Sequence, residues 1–329
     1  MPKRHPRILA VLILAFIALL SVQAQETATP RAGDGISTFL RRHNRPGADY
    51  QKEFIELNKS KLGKNNSLIL GTKYTLPSLK ESAPVAKKNH EPLFGKKLAD
   101  YDIVSNELAG AHFYVVSGHG GPDPGAIGKM DNAELHEDEY AYDIALRLAR
   151  NLLMRGATVH IIIQDKNDGI RDERILKNSK TETCMGAKIP LNQVQRLKQR
   201  SEKINELQRK NKPGYSRAIF IHIDSRSKSQ QTDVYFYHAG SNAGKKLAET
   251  MRNTFAGKYR QHQPNRGFRG TVDQRGLYVL RNSSPVGLYV ELGNIQNSFD
   301  QRRFVIDDNR QALANWLCEG FITDYKSHK

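Results

Sequence analysis

Four short segments carry side chains able to do chemistry. The first is Ser117-Gly118-His119-Gly120-Gly121-Pro122-Asp123-Pro124-Gly125-Ala126-Ile127-Gly128, entered directly from the apolar run Phe113-Tyr114-Val115-Val116. Five glycines and two prolines make a tight loop whose backbone can approach whatever His119 touches. No Gly-Lys-Ser/Thr follows, so the loop is not a nucleotide phosphate cradle. The second is an acidic cluster, Glu134, His136, Glu137, Asp138 and Glu139, ahead of a helical pattern. Acids favour helix N-termini for dipole reasons, which accounts for most of the cluster and leaves room for one metal ligand. The third is Phe220-Ile221-His222-Ile223-Asp224-Ser225, with a histidine inside an apolar strand. The fourth is Val290-Glu291-Leu292-Gly293-Asn294, where a glutamate ends an apolar run and needs a partner or a nearby cation to be tolerated.

Two histidines, one carboxylate from the acidic helix start and one further glutamate fit a catalytic zinc site. Such sites take three protein ligands and keep a position for water, and a remaining carboxylate can serve as general base. The ligands are dispersed along the chain, unlike a His-Glu-x-x-His helix.

Strand and helix patterns alternate from about 93 to 329. Helices are expected over Tyr140 to Met154, Leu191 to Arg209, Ser241 to Phe255 and Gln311 to Tyr325. Strands are expected at 113–116, 157–163, 218–223, 232–237, 277–280 and 287–292. That alternation predicts an α/β domain, a mainly parallel twisted sheet with helices on both faces. Ligands of such sheets sit beyond the carboxyl ends of strands, where His119 falls.

Upstream, Gly33-Asp34-Gly35-Ile36, Ile55-Glu56-Leu57-Asn58, Leu70-Gly71 and Leu76-Pro77 bracket two short helix-like stretches. Residues 33–77 resemble a LysM module, a small β-α-α-β glycan-binding unit. Residues 78–92 have no periodic pattern and read as a linker. Lys3, Arg4 and Arg7 precede the apolar run Ile8 to Leu20 and then Ser21-Val22-Gln23-Ala24, the pattern of a signal peptide, 1–24.

The 329 residues carry a formal net charge of +17. A surface so basic suits nucleic acid or an anionic wall polymer, and export argues against the former. Cys184 and Cys318 lie far apart in sequence, and no disulfide is expected between them.

From about Val115 to Asp324 the chain resembles zinc-dependent N-acetylmuramoyl-L-alanine amidases of the cell-separation type. The resemblance rests on His119-Gly120-Gly121-x-Asp123-Pro124-Gly125-Ala126-x-Gly128, on Glu137 followed by Asp143-Ile144-Ala145-Leu146-Arg147-Leu148-Ala149, on Ile221-His222, and on Val290-Glu291-Leu292-Gly293 with Asn297 and Asp300. It implies zinc (Zn2+) held by His119, Glu137 and His222, and Glu291 as general base. The implied reaction is cleavage of the amide between N-acetylmuramic acid and L-alanine of the peptidoglycan stem. Competing readings are a zinc peptidase acting within the stem, and a non-catalytic or regulatory wall-binding protein. Expected partners are peptidoglycan and an activator protein, without nucleic acid and without a membrane span once the signal is cleaved. The expected location is the periplasm or cell wall.

The chain departs from the family pattern at Val116-Ser117, at Ile163-Gln164 and at Ile223. These positions bear on contacts behind the ligands and on substrate preference. Residues 171–190 are extra sequence, expected to cover or border the site.

Overall fold

The computed structural model describes residues 26–79 and 89–329. The expected signal peptide, 1–24, lies outside the described residues, as do residues 80–88 of the expected linker. The chain divides into two compact units, 1–86 and 87–329.

In the first unit, Thr27–Ala28 pairs antiparallel with Tyr74–Thr75, and helices Ile36–Arg42 and Ala48–Leu57 lie between them in sequence. The opening strand falls ahead of Gly33, where the sequence pattern placed the start of this region. Phe39, Leu40, Phe54, Tyr74 and Leu76 form its core, with Phe39 edge-on to Phe54 at 5.7 Å. The buried Asn58 side chain donates to the Thr75 carbonyl at 2.7 Å and accepts from the Thr75 N–H at 2.8 Å. One amide thus clamps the end of the second helix to the closing strand, which a two-residue ladder could not secure alone.

The second unit is built on a six-stranded sheet. Its strands are β1 (Ala111–Ser117), β2 (Thr158–Ile161), β3 (Tyr215–Asp224), β4 (Tyr235–His238), β5 (Thr271–Gln274) and β6 (Val286–Asn294). Their spatial order is β5-β4-β6-β3-β1-β2. Strands β6, β3, β1 and β2 run parallel, while β4 is antiparallel to β6 and parallel to β5. The five long helices are α1 (Glu137–Leu153), α2 (Gln193–Asn211), α3 (Asn242–His262), α4 (Ser298–Val305) and α5 (Asp307–Lys326).

Strand side chains alternate between faces, and the core divides accordingly. Phe113, Val115, Ile219, Ile221, Ile223, Leu288, Val290 and Leu292 pack with apolar residues of α1, α3 and α5. Tyr114, Val116, Ala218 and Phe220 face the other way, toward Ile204 of α2 and toward Val279 and Leu280. The mainly parallel sheet with helices on both faces is therefore observed. Cys184 lies in the second cluster and Cys318 in the first, on opposite faces of the sheet.

The strand Thr271–Gln274 and the helix Ser298–Val305 are not marked by the sequence pattern, and one expected strand changes type. Residues 277–280, apolar enough to read as a strand, instead supply the N-cap and first turn of the short helix Tyr278–Asn282, which buries Val279 and Leu280 against the α2 side. A short apolar run does not distinguish the two states, and here tertiary burial decides. Glu134 and His136 also lie on a hairpin strand, Ala133–His136, paired with Ile127–Met130, and only Glu137 opens the helix.

Asp143 of α1 is wholly buried and accepts from Arg147 Nε at 2.8 Å, Arg310 Nε at 2.6 Å and the Arg171 N–H at 2.8 Å. It joins α1, α5 and the 171–190 segment. Replacing it with alanine strands two buried guanidinium groups, so Asp143→Ala is expected to lose about 3–5 kcal/mol of stability in a denaturant titration.

Candidate active site

The candidate residues converge at the carboxyl ends of β1, β3 and β6. His119 sits two residues past β1 in the left-handed region, at φ +60°, and the glycines around it provide the room it needs. A Cβ on Gly118 would fall 2.4 Å from the His222 ring, and one on Gly125 would fall 2.6 Å from Glu137 Oε2 and 2.8 Å from the His119 ring. These two glycines are the physical reason a loop can close over three ligands at once.

Glu137 is the first residue of α1 and is 4% exposed. Its Oε1 lies 3.0 Å from His222 Nδ1, 3.3 Å from His119 Nε2 and 3.0 Å from the Ile223 N–H, which donates to it. Its Oε2 accepts the Ala126 N–H at 2.8 Å. Potential ligand atoms of His119, Glu137 and His222 all lie within 4.8 Å of one another. Two imidazoles and one carboxylate form the nitrogen and oxygen donor set that zinc accepts, so the residues fit the metal the sequence implies.

Burial opposes ionisation of Glu137, but hydrogen bonds from His119 and His222 outweigh it and hold the carboxyl well below its usual range. Burial likewise works against the His119 imidazolium, yet Asp123 and Glu137 overcome it and push the group up to about 10. In His222 burial prevails over Glu137 and the pKa falls, so that ring favours the neutral form a metal requires.

Glu291 reaches the site through sheet register. It pairs with His222 across β3 and β6, so both side chains emerge on the same face. Tyr289, two residues earlier on that face, stacks on His222 at 4.3 Å with rings 15° apart. Glu291 Oε2 is shielded from solvent and has no hydrogen-bond partner among the described residues. Burial, reinforced by the charges of Glu137 and Asp224, holds the Glu291 carboxyl well above its usual range. A carboxylate so placed is a stronger base than one in water.

The contacts behind the ligands come from Asp123, within the glycine-loop motif, and from a helix the motifs did not mark. His119 Nδ1 meets Asp123 Oδ2 at 2.9 Å, and Arg196 of α2 holds the same oxygen at 2.6 Å. Arg200, one turn on, donates to the His119 carbonyl. Both arginines lie on a helix that reads as plainly polar, and only their spacing of four residues hinted at a shared face. Residues 171–190 border the His119 loop, since Glu182 Oε2 accepts the Gly121 N–H at 2.8 Å. Of the other marked residues, Asn297 caps α4, and Asp300 Oδ2 accepts the N–H groups of Thr232 and Asn294, so both shape the turn after β6. The departure at Ile223 leaves its ligand contact intact, because the backbone N–H makes it while the side chain packs in the core.

Comparison with known proteins identifies the family. The family model described as N-acetylmuramoyl-L-alanine amidase matches residues 114–323, well over half of the chain. The germination-specific N-acetylmuramoyl-L-alanine amidase of Bacillus subtilis (strain 168) is 25% identical over 222 residues, covering 65% of this chain and 80% of that one. Among solved structures, the N-acetylmuramoyl-L-alanine amidase from Clostridium difficile 630 aligns with a TM-score of 0.48 at 20% identity, over 68% of this chain and 100% of its own. Cwp6 from Clostridium difficile aligns at 0.47 and 21% identity, over 65% of this chain and 29% of its own. With the family match spanning both histidines and both glutamates, the chain belongs to the N-acetylmuramoyl-L-alanine amidase family, hydrolases of the amide bond between N-acetylmuramic acid and L-alanine in peptidoglycan.

Proposed function

We propose that the chain carries out this hydrolysis with a single zinc ion held by His119, Glu137 and His222, and with Glu291 as general base. The observation that carries the reading is the Oε2 of Glu291, shielded and without a hydrogen-bond partner among the described residues, in register with His222 on the face where the three ligands meet. When bound, zinc supplies Lewis-acid polarisation of the scissile carbonyl and water acidified toward neutrality. Glu291 takes the proton of the attacking water and passes it to the departing alanine nitrogen. Its raised pKa suits both halves of that transfer. Asp123 and Glu137 fix the His119 ring, and Arg196 and Arg200 hold the loop that carries it.

The first unit is proposed to be a LysM-like glycan-binding module. Support comes from its β-α-α-β order and from the clamp made by Asn58, one of the residues on which that resemblance rests. The module would raise the local concentration of wall polymer around the catalytic unit. The net charge of +17 suits an anionic substrate. Action outside the cytoplasm follows from the substrate. No helix of the described residues is long and apolar enough to cross a membrane.

The direct experiment incubates the full chain with intact peptidoglycan, with and without chelator, and identifies products by mass spectrometry. Free stem peptides beginning with L-alanine are expected, lost on chelation and restored by zinc. Products cut within the stem would instead show a peptidase. Glu291→Gln is expected to lower kcat by about 10²–10⁴-fold with zinc content unchanged, whereas His222→Ala loses the metal and the activity together. A chain beginning at Lys87 is expected to pellet poorly with insoluble wall, and less with rising salt, while still cleaving soluble muropeptides.

A further inference from the structure

Behind the ligands the catalytic unit buries a second group of acids. Asp138 and Glu139 follow Glu137 in the first turn of α1, and Glu182 comes from the 171–190 segment. One carboxylate oxygen of each lies within 4.8 Å of the others. They are 2%, 1% and 6% exposed, so helix-dipole complementarity on a solvated surface does not account for them.

Their partners leave the group short of positive charge. Glu139 accepts from Arg171 at 2.8 Å and from the Ser179 N–H. Arg171 is shared with Asp168 at 3.1 Å. Glu182 Oε2 takes the Gly121 N–H, and Asp138 Oδ1 takes the Glu139 N–H at 3.0 Å. Asp138 Oδ2 is buried and has no hydrogen-bond partner among the described residues. Three carboxylates therefore face one guanidinium, and among the described residues the partnerless oxygen of the group belongs to Asp138, next to the ligand Glu137. The nearby Asp165 is bound by the Ser179 and Thr181 hydroxyls and adds no cation.

We propose that Asp138, Glu139 and Glu182 form a binding site for a hard divalent cation, calcium, distinct from the catalytic metal site. The donor set is all oxygen, without imidazole or thiolate, which selects calcium or magnesium over zinc. Calcium–oxygen distances of about 2.3–2.6 Å put ligands on opposite sides of the ion roughly 5 Å apart. The carboxylate oxygens, all within 4.8 Å of one another, lie inside that span. Magnesium requires near-ideal octahedral geometry, which carboxylates already held by Arg171, Ser179 and Gly121 are poorly placed to provide, so the more tolerant calcium is the better match. A divalent ion also neutralises the two carboxylate charges that Arg171 leaves over. Bound there, it staples the 171–190 segment to the first turn of α1 and, through Glu182 and Gly121, to the loop carrying His119. Its role is positional, holding the backbone on which two of the catalytic ligands stand.

The test uses the zinc-loaded full chain, titrated with calcium chloride or magnesium chloride at constant ionic strength and followed by calorimetry and thermal unfolding. Calcium is expected to bind with one-to-one saturation and to raise Tm by roughly 3–6 °C at ten times Kd. Asp138→Asn and Glu182→Gln are expected to abolish that rise, yet to be at least as stable as wild type without calcium, because each removes repulsion. His222→Ala, which lacks the catalytic metal site, keeps the calcium response, so failure of the zinc assignment leaves this result readable. No saturable response up to ~10 mM calcium, beyond the about 10⁻⁴–10⁻³ M range of weak sites, overturns the proposal. So does an undiminished response in both Asp138→Asn and Glu182→Gln. In either case the acids are balanced by protons alone.

Discussion

The buried carboxylate of Glu137 is the constraint on which the rest of the site depends. Its two oxygens meet two histidines and two backbone N–H groups, drawn from the glycine loop and from β3. A carboxylate at 4% exposure is tolerable only when its lone pairs are filled, and here they are filled by the residues that must hold a metal. The same contacts that make burial of Glu137 acceptable thus assemble the ligand set. The helix N-terminus supplies a favourable field for the charge, and the N–H groups of Ala126 and Ile223 fix its orientation.

The sheet then supplies the base. Parallel pairing of β3 with β6 places Glu291 opposite His222, and strand alternation sends both side chains to one face. Their apolar neighbours Ile221, Ile223, Val290 and Leu292 point the other way into the α1, α3 and α5 core. A single strand pair therefore serves packing on one side and chemistry on the other. A one-residue slip in register would bury Glu291 in the core and expose Leu292, so the hydrophobic cost of misregistry also protects the geometry of the site.

Around this centre charge is layered rather than concentrated. Asp123, Arg196 and Arg200 hold the His119 loop from the α2 side, while Asp143, Arg147, Arg171 and Arg310 lock α1 to α5 from the other. Between them lies the acidic group of Asp138, Glu139 and Glu182, where the hydrogen-bonding is incomplete. The 171–190 segment takes part in both layers, through Arg171 and through Glu182. An insertion tied down at two such places acts as part of the scaffold of the site.

The sequence by itself determined the elements whose signals are local. The glycine-rich loop after an apolar strand, a histidine inside an apolar strand, and a glutamate closing an apolar run each have causes within a few residues, and they marked His119, His222 and Glu291. Tertiary structure decided what depends on neighbours distant in the chain. Residues 277–280 became a helix because burial against α2 outweighed a short apolar pattern. Arg196, Arg200 and Glu182 gained their roles only when folding brought them within hydrogen-bonding distance of a loop some sixty to eighty residues earlier. The choice of Glu137 among its acidic neighbours rested, in sequence, on family resemblance. In the structure it rests on direction, because the first residue of α1 points at the histidines while the next two turn toward the 171–190 segment.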